Sequence, residues 1–227
     1  MSYTLREQLC HPENCGGTRT AGQIRYLVYH YTGNDGDTAA DNAAYFQSRV
    51  VKASAHYFVD DHTVYRSVPD LRVAWAVGGS KYAGAGQTGG GTMYGIINNT
   101  NSLSIEMCGT AGDGSRQAGE AALENAAALG RELMKKYGIP LEHVYRHFDV
   151  TGKRCPAYLV EDHAWTAFKR RLAMDNTPAP AHKEGVDWAV QNGILLGGAD
   201  GDLMLSQPVT REQMCTLLLR FMHILEE

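Results

Sequence analysis

The sequence predicts an α/β domain built around one sheet, followed by a small helical module. Three observations point there. Segments rich in β-branched and aromatic residues alternate with helical segments as far as residue 172, the pattern of strands and helices sharing one sheet. The Pro-bearing stretch Asn176-Thr177-Pro178-Ala179-Pro180-Ala181 then reads as a stiff linker. The charge also changes character there: residues 178–227 hold three basic and seven acidic side chains, while the rest of the chain is formally neutral. The expected boundaries are therefore 1–173 for the main domain, 174–182 for the linker and 183–227 for the module.

In order, residues 1–23 read as an irregular arm rich in Pro, Asn and Gly. Ile24 to Tyr31 is apolar on both alternating faces, as expected of a strand buried on both sides. Asp37 or Thr38 caps a helix running to about Val50. Ala55–Asp60 and Thr63–Val68 form a hairpin around Asp61-His62. Residues 78–101 make a long loop holding eight glycines, and a loop of that length in a compact domain is either functional or mobile. No Gly-Lys-Ser/Thr follows, so it is not a phosphate loop. Ser102–Cys108 is a strand. Ser115–Tyr137 is a helix with Ala122, Ala126, Leu129, Leu133 and Tyr137 on one stripe, ended by Gly138 and Pro140. Val144–Arg146 is a short strand and Tyr158–Leu172 a further helix. In the module, a helix over about 183–192 stops at Gly193. A second helix opens with the capping box Thr210-Arg211-Glu212-Gln213 and continues through Met214, Leu217, Leu218, Phe221 and Leu225.

Composition narrows the function classes. The 227 residues are 44% hydrophobic and 20% charged, ordinary values for a globular chain. A net charge of −4 argues against a nucleic-acid partner held by phosphate neutralisation. No apolar stretch nears the ~18 residues that span a bilayer, so no membrane partner is expected. No apolar run follows the first residues, so no signal peptide is expected. Five cysteines, an odd number at low density, do not read as a disulfide scaffold. Cys10 and Cys15 are close enough to pair if oxidised, but reduced thiols are expected.

Several residues carry candidate chemistry. His30 ends the first buried strand, where α/β proteins place functional groups, though a lone histidine there also fits a hydrogen-bonded core residue. His147 and Cys155 lie eight residues apart on an expected strand-end loop. With His30 they could supply two imidazoles and a thiolate, three ligands with a fourth position open, the pattern of a catalytic zinc site. The alternative is a structural Cys155 and a surface His147. Glu106 alternates with Leu103, Ile105 and Met107 along its strand, so it lies on the opposite face. It is either half of a buried ion pair or, opposite a metal, a general base. Lys153 is a solvated loop lysine unless a metal is near, where it could stabilise negative charge on oxygen.

Four segments, Val28-Tyr29-His30-Tyr31-Thr32-Gly33, Ala55-His56-Tyr57-Phe58-Val59-Asp60-Asp61, Ser104-Ile105-Glu106-Met107-Cys108 and His147 through Pro156, closely resemble the type 2 N-acetylmuramoyl-L-alanine amidases in order and in the Lys-x-Cys ending. That family includes bacteriophage endolysins and shares its fold with animal peptidoglycan-recognition proteins. The resemblance covers roughly residues 14–172. It implies a mixed central sheet flanked by helices and one zinc ion at the floor of a groove. His30, His147 and Cys155 would be the ligands, Glu106 would activate water, and Lys153 would steady the oxyanion. It also implies peptidoglycan as substrate, and cleavage of the amide between N-acetylmuramic acid and L-alanine. His56 falls where some relatives have tyrosine; it either donates to substrate or merely lines the groove. Trp75 either stacks on sugar or belongs to the core, and it is followed by Ala76 where many relatives have histidine. Asn101 is a further substrate-binding candidate. Two rivals remain: a non-catalytic receptor on the same fold, which would lack the cysteine ligand, and a cysteine peptidase using Cys108 and His147. The expected setting is a phage lysin made in the cytoplasm and released at lysis, with a signal-less autolysin as the alternative.

The module resembles a single S-layer homology repeat in Val186-Asp187-Trp188-Ala189, Gly193 through Gly198, Asp200-Gly201 and Val209 through Gln213. That implies a cell-wall polymer as partner, with Arg211 either contacting it or simply solvated. Repeat modules bury their apolar faces against neighbouring copies, and this one has no neighbouring copy in its chain. It is therefore expected to dock on its own main domain or to pair with a second chain, most simply as a dimer.

Overall fold

Buried β-branched and aromatic residues set the centre of the sheet. The computed structural model describes residues 3–174, 178–198, 201–205 and 207–226. It comprises two units, Met1–Leu172 and Ala173–Glu227. In chain order the first unit holds β1 (Thr4–Glu7), β2 (Cys15–Thr18), β3 (Tyr26–Tyr31), α1 (Ala39–Ser48), β4 (Tyr57–Val59), β5 (Thr63–Arg66), β6 (Arg72–Ala74), β7 (Ser102–Met107), α2 (Glu120–Tyr137), β8 (Val144–Arg146), α3 (His147–Thr151) and α4 (Asp162–Ala173). Six strands form one sheet in the order β1-β5-β4-β7-β3-β8. β4, β7, β3 and β8 run the same way, and the antiparallel β4–β5 pair reverses the direction for β5 and β1. The sheet is mixed and helix-flanked, as expected. β2 and β6 make a separate two-stranded ribbon.

Alternation along the strands divides the core between two faces. On one, Leu27, Tyr29, Leu103, Ile105 and Met107 pack against Ala126 and Leu129 of α2 and Trp165 and Phe168 of α4. Alanines on α2 let that helix approach closely, and the Tyr29 hydroxyl donates to the Ala126 carbonyl at 3.0 Å. On the other face, Phe58 and Cys108 meet Ala39 and Ala43 of α1, while Val28 meets Val77, Ile97 and Val150. Between these two smaller clusters, at the carboxyl ends of the parallel strands, the sheet is left for polar side chains.

The structure corrects four local expectations. The N-terminal arm contains β1, which pairs parallel with β5 at the sheet edge; all four of its side chains are exposed, so main-chain hydrogen bonds and a surface Glu7–Arg66 ion pair hold it and no apolar alternation marks it. The helix expected from Ser115 begins at Glu120, because Asp113 accepts from the Ser115 amide in a turn and Gly119 is the N-cap. The helix expected over Tyr158–Leu172 is a 3-10 turn, Ala157–Leu159, followed by α4. His147 opens a helix rather than a loop. At α1, the Thr38 hydroxyl accepts from the Asp41 amide and is the cap.

The second unit holds α5 (Lys183–Gln191) and α6 (Arg211–Glu226). Thr210 and Gln213 form the expected reciprocal cap: the Thr210 amide donates to Gln213 Oε1 at 2.9 Å and the Gln213 amide to Thr210 Oγ1 at 3.2 Å. Trp188 meets Phe221 edge-on, and Arg220 Nη1 donates to the Ile194 carbonyl at 2.9 Å. Asp175, Asn176 and Thr177 of the expected linker, and Asp200 of the expected repeat motif, lie outside the described residues. Among the described residues, no helix is long and apolar enough to cross a membrane.

Candidate active site

Parallel pairing places the reactive side chains. His30 on β3 stands opposite Glu106 on β7, and both project to the face away from α2 and α4. β8 pairs with β3 through Tyr29 and Arg146, so the next residue, His147, emerges at the same sheet end. Three strand ends thus converge, as the carboxyl ends of parallel strands do at α/β ligand sites. Cys155 follows α3, tied back by the Phe148 amide, which donates to the Cys155 carbonyl at 2.9 Å.

One ligand atom each from His30, His147 and Cys155 lies within 4.8 Å of the others, and all three residues are buried. His30 Nδ1 is 3.9 Å from Cys155 Sγ and 3.9 Å from Glu106 Oε1. Zinc bond lengths in a tetrahedron put nitrogen and sulfur ligands about 3.6 Å apart, so the spacing fits with slight contraction. His147 Nδ1, His30 Nε2 and Glu106 Oε2 are buried without a hydrogen-bond partner. Such orphaned groups in a native interior call for an explanation. A cation bound between imidazole and thiol supplies one for His147 Nδ1, and soft sulfur with imidazole selects zinc over magnesium or calcium.

The electrostatics agree. Burial, then the neighbouring His147 and Lys153, holds His30 well below its usual value. Burial, then Lys153, brings His147 down to about 4. Both imidazoles are therefore neutral, the ligating form. Burial pushes the Cys155 thiol up to about 12, with Glu106 adding to the rise. Burial raises Glu106 to about 8, against the pull of Lys153. The pocket disfavours every unpaired charge, and a bound divalent cation would deprotonate the thiol and favour the Glu106 carboxylate, the form a base requires.

A cleft of about 660 Å³ opens from Glu106 and Lys153 along α1, walled by Asp37, Asn42, Trp75 and Ala76. Glu106 keeps 21% of its side-chain surface. Trp75 lines this cleft, half-buried, its amide donating to Ser54 Oγ. His56 and Asn101 do not face it. His56 is fully buried; Nδ1 accepts from the Ser104 amide at 3.1 Å, and Nε2 lies against the Arg72 carbonyl and Arg19. No nitrogen is left for a substrate. Asn101 precedes β7, five residues before Glu106, about 16 Å away along the strand. Its side chain donates to the Ile96 carbonyl and accepts from the Asn98 amide, closing a loop at the far end of the sheet. Arg211 is the exposed first residue of α6. Cys108 is fully buried and burial raises its thiol, which removes the cysteine-peptidase alternative.

One pair went unread in the sequence. Arg146 and Asp149 are buried together, with Arg146 Nη1 also donating to the carbonyls of Leu159 and Val160 at 3.0 and 2.6 Å. The pair brackets His147 and binds α3 to the chain beyond Cys155. An Arg-His-x-Asp run between apolar neighbours was its available signal.

Residues 20–158 match the N-acetylmuramoyl-L-alanine amidase family. The chain belongs to that family. A probable N-acetylmuramoyl-L-alanine amidase of Bacillus licheniformis is 34% identical over 66% of this chain and 41% of its own length. The amidase CwlH of Bacillus subtilis (strain 168) is 34% identical over 67% of this chain and 54% of its own. The chain thus spans about half the length of these curated relatives. The solved catalytic domain of XlyA superposes with a TM-score of 0.58 at 27% identity, covering 74% of this chain and 99% of that domain.

Proposed function

We propose that the chain is a zinc-dependent peptidoglycan hydrolase that cleaves the amide between N-acetylmuramic acid and L-alanine. The observation that carries this reading is the convergence of two buried neutral imidazoles and a thiol beside Glu106, which lines the cleft. His30, His147 and Cys155 would hold the ion. Zinc, when bound, supplies a Lewis acid for the lactyl carbonyl and acidifies water beside it. Glu106 takes a proton from the attacking water and passes it to the departing nitrogen. The water oxygen joins the carbonyl carbon, the C–N bond breaks, and a lactyl carboxylate and a free L-alanine amine result. The Lys153 ammonium at the cleft mouth offsets negative charge on the tetrahedral oxygen. Trp75 offers a ring to the sugar or peptide along the wall. Family membership and the names of the relatives support an endolysin-like role on the cell wall.

The second unit is proposed as an S-layer-homology-like module that binds wall polymer, with Arg211 in contact, or joins two chains as a dimer. Its exposed apolar residues support a partner. Elemental analysis tests the metal reading: the wild type should carry one zinc per chain and Cys155→Ser substantially less. Equal, stoichiometric zinc in both would remove Cys155 from the ligand set.

A further inference from the structure

α3 cannot set its own position. In a helix of five residues most carbonyls lack an intrahelical donor, and so short a helix gains little from cooperativity. Yet it carries His147, and the Phe148 amide holds the Cys155 carbonyl. The glycine-rich loop supplies donors to Asp149 and Thr151 and a second one to Phe148, whose carbonyl also accepts from the Gly152 amide at 2.8 Å. The Gly91 amide donates to the Phe148 carbonyl at 2.9 Å, Met93 to Asp149 at 2.9 Å and Tyr82 to Thr151 at 2.8 Å. Val77, just before the loop, and Ile97 within it share a buried cluster with Val150.

The loop reaches these carbonyls because side chains are missing where it crosses α3. A Cβ on Gly90 would stand 2.7 Å from the Phe148 ring and 2.9 Å from Gly152 Cα; one on Gly152 would stand 2.3 Å from Ala85 Cβ. Gly90 has no left-handed backbone, so contact alone requires glycine there.

We propose that residues 82–93 are a positioning element for the metal centre, fixing α3 and thereby His147 and Cys155 against His30 on the rigid sheet. This rests on the zinc reading above. Groups that orient metal ligands from outside are worth about 10–100-fold in metal affinity. The test is zinc affinity of the full chain by competition with a chromophoric chelator, read beside the melting temperature of the metal-free protein. Gly90→Val should stay folded and bind zinc about 10–100-fold more weakly, with all three ligands intact. Gly86→Ala, in the same loop but with nothing within 4 Å of the new Cβ, should bind as the wild type does. Where Gly90→Val does not fold, Gly90→Ala applies the same contact at smaller size. Wild-type affinity in a folded Gly90 variant overturns the proposal, whatever the change in melting temperature. So does loss of the fold in both variants, since the contact would then support the whole unit. A wild type that binds no zinc overturns the metal reading itself, and this inference with it.

Discussion

α4 and α6 are both amphipathic helices with aromatic residues, yet they meet different fates. On α4, Trp165 and Phe168 are 8% and 2% exposed; in the second unit Trp188 and Phe221 keep 45% and 38%. α4 has a sheet to cover, whereas the described part of the second unit buries one hydrophobic residue, Ile194. The difference separates two things a sequence pattern encodes. An apolar stripe states that a helix has a buried face, but not what buries it. In the first unit the sheet answers that question and leaves a rigid edge on which chemistry can be held. In the second, the described residues leave most of the stripe exposed.

The largest effect should fall where the rigid edge meets the cleft. Glu106→Gln keeps the shape and removes the base, so turnover on muropeptides should fall about 10²–10⁴-fold with zinc retained. Lys153→Met should cost about 10²–10³-fold. Steady-state kinetics with metal content measured on the same samples checks both.

Stability should follow the same contrast. Phe168→Ala opens a cavity under the sheet and should destabilise the first unit by about 3–5 kcal/mol in denaturant unfolding. Leu218→Ala removes a side chain 56% exposed and should change stability by no more than about 0.5 kcal/mol. A larger, concentration-dependent cost at Leu218, with light scattering showing a dimer, would identify a second chain as the cover.

A smaller effect is set by protons. In the metal-free protein His147 is held at about 4 and His56 at about 3 by burial, the latter also by Arg19. Their unfolded forms take up protons from about pH 6.5 downward. The unfolded state then binds more protons, so stability falls as pH drops from about 6.5 toward 4. Glu106, raised to about 8, works the other way: its contribution is full below about 4.5 and is lost as pH rises toward 8. Metal-free melting temperatures from pH 7 to 4.5 should therefore decline, and His56→Gln should flatten the slope.

The zinc candidates, Glu106 and Lys153 stood out in the sequence because the proposed chemistry demands particular side chains, and side chains are what a sequence displays. β1 did not, since its four side chains are exposed and its pairing with β5 is main-chain. The loop over 82–93 read only as glycine-rich, because amides donated to α3 leave no residue signature beyond the absence of a Cβ. His56 sits two residues before Phe58 in a polar-and-apolar run, and nothing in the run separates a histidine facing a cleft from one facing Ser104 and Arg19. Asn101 was misplaced because a residue that opens a strand stands at the opposite end from one that closes it.

The most direct measurement is mass spectrometry of purified peptidoglycan digested by the full chain, with and without chelator. Release of stem peptides bearing a free L-alanine amine, from glycan strands left intact, is the predicted result; chelation should stop it and added zinc should restore it. Cuts within the glycan or between peptide residues, or release that persists after zinc has been removed, would contradict a zinc amidase.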